Sequence, residues 1–335
     1  MMRILCVILL FVSSVHPLWA QSEAAAWPRQ ELGSRPPVLK GFPPLTEAEL
    51  QEGWIRLFDG FSLYGWQVMA GKYFARNGLL INDQNNAGII KYTSRFGNSV
   101  VKGERRLADG RGEWAPFELS LSSSKLNQAA APDITLDSGQ FRNVKLLPKA
   151  MKPIFDGKTL DGWTLRQKDG ATVEAKIVRG SIQLTGGPGS LESDGKYDDF
   201  VLQLEYWTDA PVNSGVFFRC IPGELMNGYE CQVFNNPPAE DYKKFMGTDT
   251  GGIFRRQVGR NVGAKNGQWN HLTIFAREGQ ISTWVNGIQT ADWYDERDAD
   301  SNPRKGRRLE AGTIQFQGHD PKTEIWFRNI RIGEL

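Results

Sequence analysis

A chain of 335 residues has room for two domains of ordinary size. Its 40% hydrophobic and 23% charged residues exclude a disordered chain. A net charge of +2 excludes a field able to recruit nucleic acid or an anionic membrane, so neither is expected as a partner.

Residues 1–20 read as a secretory signal: a basic start at Arg3, a short apolar core from Ile4 to Val12, and Leu18-Trp19-Ala20 ending in a small residue. About nine apolar residues are too few to span a bilayer, and no later stretch is longer. The mature chain is therefore expected to be soluble and periplasmic or secreted. Residues 21–53 form a Pro-rich linker, with Pro28, Pro36, Pro37, Pro43 and Pro44, followed by a short helix. Thr46-Glu47-Ala48-Glu49 is the capping box that starts this helix, which ends near Gly53.

Beyond Gly53 the pattern alternates with period two, the signature of strands. Phe200, Leu202, Leu204 and Tyr206 share one face, with Gln203 and Glu205 on the other. Val216, Phe218 and Cys220 oppose Phe217 and Arg219. Tyr229, Cys231 and Val233 oppose Glu230 and Gln232, while Ile314 and Phe316 oppose Gln315, Gln317 and His319. Asn286-Gly287 marks a hairpin. With 36 glycines and no long helical pattern, the chain is predicted to be all-β, a sandwich. Cys220 and Cys231 both fall on apolar faces, so they are either a disulfide within the core or two buried thiols.

Two stretches share their bookends. Phe58-Asp59-Gly60 with Gly65-Trp66 matches Phe155-Asp156-Gly157 with Gly162-Trp163, and Phe141-Arg142-Asn143-Val144 matches Phe327-Arg328-Asn329-Ile330. This predicts a duplicated unit: a truncated copy over 54–148 and a complete one over 152–335. Gly112-Glu113-Trp114 and Phe117-Glu118-Leu119 are the counterparts of Gly267-Gln268-Trp269 and His271-Leu272-Thr273. Nothing in the first copy corresponds to Asn213–Arg219 or Tyr229–Phe234. It is therefore short of strands and is expected to lean on the second.

The second copy resembles the 3-keto-disaccharide hydrolase domain family. The resemblance rests on the Phe-Asp-Gly and Gly-Trp pair, Phe200–Tyr206, Asn213–Arg219, Gly228–Val233, Trp269-Asn270, Val285-Asn286-Gly287, Ile314–His319 and Phe327–Ile330. It implies a concanavalin A-like jelly roll with a sugar site on its concave sheet. It also implies a reaction. A C3 ketone acidifies the C2 proton, a base removes it, the enolate expels the C1 substituent, and water then adds. The catalytic candidates are Glu230 or His319 as base, Arg219 to hold the enolate oxygen and Glu205 as acid, or as a partner orienting Arg219. Gln232, Gln317, Trp207 and Asn213 are the candidate substrate contacts, with Phe217 a second aromatic. The substrate expected is a 3-keto-glycoside. The alternative is a non-catalytic, lectin-like carbohydrate-binding module. No cofactor is required, and His319 with Asp320 makes no transition-metal site. Calcium held by carboxylates and carbonyls is left open. The basic run Arg304–Arg308 reads as a solvated loop, and Gly251-Gly252 before Arg255-Arg256 lacks the context of a phosphate loop.

Overall fold

The computed structural model describes residues 36–41, 44–83, 87–122 and 132–335, so the signal-like segment lies outside the described residues. Helix α1 (Glu47–Glu52) is capped as expected: Thr46 and Glu49 satisfy each other's amides, and Gly53 closes the last turn at φ +106°. The strands of the first half are β1 (Ile55–Arg56), β2 (Trp66–Ala70), β3 (Tyr73–Arg76), β4 (Leu79–Asn82), β5 (Ile89–Tyr92), β6 (Ser99–Arg106), β7 (Ala115–Leu121), β8 (Thr135–Leu136) and β9 (Gln140–Pro148). They form one sheet ordered β3-β4-β9-β6-β7, with β1 on β9, and a small one, β2-β5-β8.

The second half continues with β10 (Lys152–Pro153), β11 (Trp163–Val178), β12 (Ser181–Tyr197), β13 (Phe200–Trp207), β14 (Ser214–Cys220) and β15 (Tyr229–Val233). After α2 (Ala239–Lys244) come β16 (Asn270–Arg277), β17 (Gln280–Val285), β18 (Ile288–Tyr294), β19 (Gly312–Gly318) and β20 (Glu324–Glu334). Strands β11 and β12 are long enough to run through two layers. β12 pairs with β20 through Ile182–Thr185 and with β19 from Gly189 onward. Between these stretches the chain bends at Gly186, where a Cβ would lie 2.1 Å from the Thr172 carbonyl oxygen, so only glycine fits. The front layer is β15-β14-β19-β12, and the back layer is β12-β20-β13-β16-β17-β18. Among the described residues every pairing between these strands is antiparallel, and the architecture is the expected all-β jelly-roll sandwich.

Period-two alternation decides what fills the space between the layers. Val216, Phe218, Tyr229, Cys231, Leu191 and Phe316 of the front meet Leu202, Leu204, Ile274, Ile325 and Phe327 of the back in one core. The two cysteines are free and buried. Cys231 stands opposite Val216, four residues from Cys220, or about 13 Å along the strand, beyond disulfide reach.

The outer face of the back layer is also buried. Its Val201, Phe275 and Trp284 join the core of the first half, with Trp66, Leu80, Ile90, Phe96 and Leu146. The Phe96 ring lies 4.8 Å from Phe275 and 5.7 Å from Trp284 between centroids. The Trp284 indole N–H donates to the Arg56 carbonyl at 3.1 Å, and the Tyr92 hydroxyl donates to Gln289 at 2.8 Å. Among the described residues, β8 has no strand on its far side, where β14 and β15 stand in the second half. The first half thus closes its core with a sheet it does not own.

Several local contacts recur. Asp59 accepts the amides of Phe61 and Ser62, as Asp156 accepts those of Lys158 and Thr159. Trp66 donates to the Leu57 carbonyl, as Trp163 does to Ile154. Glu104 takes Arg142 and Asn143 across a bulge between β6 and β9, and Glu205 takes Arg328 and Asn329 across a bulge between β13 and β20.

Candidate functional site

The polar side of the front layer presents two cross-strand rows. The first runs Glu230, Phe217, Gln315, Glu192, and the second runs Gln232, Gly215, Gln317, Ser190. A further segment extends the first row. Ile253 bridges antiparallel to Cys231, and the Phe254 amide donates to the Glu230 carbonyl, so Phe254 stands beside Glu230 on the same face. Glu230 therefore lies between two phenylalanine side chains and is 5% exposed.

Burial pushes the Glu230 carboxyl up to about 7, against the opposing field of Arg304 and a weaker one of Arg255. Arg304 reaches over from the loop before β19. Its two terminal nitrogens lie 3.4 Å from Glu230 Oε2, and its guanidinium stands 5.0 Å above the Phe217 ring. The loop read as solvated thus brings a cation to the carboxylate. Gly215, opposite Gln232, lies diagonally across from Glu230; a Cβ there would lie 2.8 Å from Oε1, so the bare backbone leaves room beside the carboxyl.

The second row supplies amides. Gln232 donates to Asn213 Oδ1 at 2.7 Å, and Gln317 donates to the Met226 sulfur at 3.2 Å. Both side-chain carbonyl oxygens are buried without a hydrogen-bond partner among the described residues. Orphaned acceptors of this kind suit ligand hydroxyls, because leaving them unpaired is costly. Glu192 shares the face but is occupied. Arg166 binds one of its oxygens, while Thr313, Gln315 and the Gly223 amide bind the other. Burial works to raise its pKa, yet these bonds hold it below the ordinary value.

Glu230, Gln232, Gln317, Asn213 and Phe217 are thus brought together, whereas the other sequence candidates are not. Arg219 sits at a bulge between Phe217 and Cys220 with φ +48°, which breaks the alternation. Its guanidinium is fully buried at the end of the sandwich, bonded to the carbonyls of Asp198, Glu278 and Arg308 and to Asp199. Glu205 and Trp207 belong to β13, in the back layer, and point away from the front face. Glu205 neither meets nor orients Arg219; it holds Arg328 and Asn329. Trp207 stacks edgewise on Trp269 at 5.7 Å and donates to Asp209. His319 keeps the parity of Gln315 and Gln317 but lies four residues past Gln315, about 13 Å from the Glu230 row, and pairs with Asp320 at 2.8 Å. Arg304 carried no local sequence signal, since its approach depends on a long-range loop. Among the described residues, no group of three or more His, Cys, Asp or Glu could hold a metal ion, and no helix is long and apolar enough to cross a membrane.

The described residues thus define an antiparallel jelly-roll sandwich with one polar, partly unsatisfied sheet face. Residues 150–333 match the family described as the 3-keto-alpha-glucoside-1,2-lyase-like domain, and the chain belongs to that family. It is 24% identical over 280 residues to a 3-keto-disaccharide hydrolase of Bacteroides thetaiotaomicron, a match covering 70% of this chain and 92% of that protein. Among solved structures, a Parabacteroides distasonis protein provisionally described as a glycosyl hydrolase is similar at 18% identity and a TM-score of 0.46, covering 55% of this chain and 94% of that one. A Bacillus subtilis protein with a galectin-like fold is similar at 12% identity and a TM-score of 0.41, covering 56% and 95%.

Proposed function

We propose that this chain cleaves 3-keto-glycosides by elimination and hydration, with Glu230 moving the protons. The observation that carries this reading is a buried carboxyl poised near pH 7 between two phenylalanines, with a cation 3.4 Å away and orphaned acceptors one row over. Glu230 takes the C2 proton, and the electron pair moves into the enolate. Arg304 faces the oxygen on which that charge grows. The C1–O bond then breaks, and the departing oxygen takes the proton held by Glu230. In the second half, Glu230 draws a proton from water as the hydroxide adds to C1, and returns it to C2. The net change is one glycosidic bond hydrolysed, with no oxidant consumed. Gln232 and Gln317 accept hydroxyls of the sugar.

The family and the Bacteroides relative support the substrate class. The leader-like start supports a periplasmic or secreted setting. The orphaned amides alone would also suit a lectin-like module, which binds without producing a product. Incubation with 3-keto-trehalose or an aryl 3-keto-glucoside separates the two. The expected result is release of 3-ketoglucose by the native chain and a loss of at least about a hundredfold in Glu230→Gln. Binding without product, or turnover unchanged in that variant, refutes the proposal.

A further inference from the structure

The front sheet ends, on the side of Glu230 away from Gln317, in an exposed aromatic edge. Phe254 stands beside Glu230, and Phe245 packs against it with ring centroids 5.4 Å apart and planes tilted by 53°. Phe245 is 37% exposed. In a regular strand the residue after Phe254 would point to the opposite face. Arg255 has φ +62° instead, and its amide is tied to the Met246 carbonyl at 2.7 Å. This turns its side chain back over the rings. The guanidinium lies 4.8 Å from the Phe245 centroid and 5.3 Å from that of Phe254. Among the described residues it has neither a hydrogen-bond nor an ion-pair partner, so its N–H donors are free while its position is fixed by two rings. It is close enough to Glu230 for the two charges to interact.

We infer that Phe245, Phe254 and Arg255 form the leaving-group subsite, and that it takes an aromatic ring bearing a carboxylate. The inference rests on the reading of Glu230 given above. Gln317 lies inward across the strands from this edge and Gln232 lies two residues along β15 from Glu230, so a sugar over both amides has Glu230 between it and the edge, and its C1 substituent extends past Glu230 toward the rings. A second sugar, as in 3-keto-trehalose, would find a stacking surface but only donors from these side chains, so it fits this edge less well than a flat ring carrying an anion. A flat ring stacks on phenylalanine, and a carboxylate matches the paired donors of arginine.

The test is equilibrium binding of 4-hydroxybenzoate, phenol and 4-hydroxycyclohexanecarboxylate to the full chain. Binding of 4-hydroxybenzoate at least about tenfold tighter than either of the others is expected, the scale of one added charge-assisted contact or one lost stack. Arg255→Gln should erase the preference over phenol while Arg255→Lys keeps part of it, and Phe245→Ala should erase the preference over the saturated ring. Equal affinities, no binding, or a preference surviving Arg255→Gln overturns the subsite. The readout is independent of turnover. If the binding pattern holds and no 3-keto-glycoside is cleaved, the subsite stands and the catalytic reading falls. If phenyl and 4-carboxyphenyl 3-keto-glucosides are cleaved with equal kcat/KM, the subsite falls alone.

Discussion

Replacing Glu230 with glutamine should change how stability depends on pH. An ordinary glutamate titrates near 4.5, and burial moves this one to about 7. The difference corresponds to about 3 kcal/mol. Between these values the folded chain keeps a proton that the unfolded chain has released. Stability therefore falls as pH rises through this window; the cost is absent below 4.5 and complete above 7. Glutamine carries no such cost, although it loses the charge contact with Arg304. Urea denaturation at pH 4 and pH 8 should show the variant gaining about 3 kcal/mol on the native chain between the two conditions. A stability difference that is the same at both pH values would refute the claim that this carboxyl is held out of water at a cost to the fold.

Arg304→Gln removes the cation that opposes burial, so the midpoint of the rate–pH curve should move upward by about one pH unit and kcat/KM should fall about a hundredfold. Gly215→Ala places a methyl 2.8 Å from Glu230 Oε1, and turnover should drop at least about tenfold with little change in Tm, measured on the same sample. Arg219→Met leaves a set of buried carbonyls and Asp199 without a donor, and calorimetry should show a loss of about 3–5 kcal/mol. The residual activity of that variant should keep its pH midpoint. Glu205→Gln and Glu104→Gln break the same bulge contact in the two halves, so both should lower Tm without moving that midpoint.

Period-two alternation was sufficient to place Glu230, Gln232 and Gln317 on one face, because β14, β15 and β19 are short and regular there. It also put their apolar neighbours in the core. It failed at Arg219, where the bulge turns the side chain out of its expected row, and alternation carries no mark of a bulge. It failed at Glu205 and Trp207 for another reason: parity names a face within one strand but does not say which layer the strand joins. Arg304 and Phe254 were illegible because both arrive from segments whose position depends on distant pairings. The Phe-Asp-Gly, Gly-Trp and Phe-Arg-Asn motifs proved to be turn and bulge chemistry, which explains why they recur in a half that, among the described residues, has no counterparts of β14 and β15.

The first half of the chain serves as a permanent subunit supplied in cis. Its contact hides Phe275 and Trp284, which on a free-standing jelly roll would lie in water. A fragment cut back to residues 150–333 would bare that surface and should self-associate, however intact its front face. Any attempt to dissect the chemistry by truncation would then report on stickiness, and point substitution in the whole chain is the sounder route.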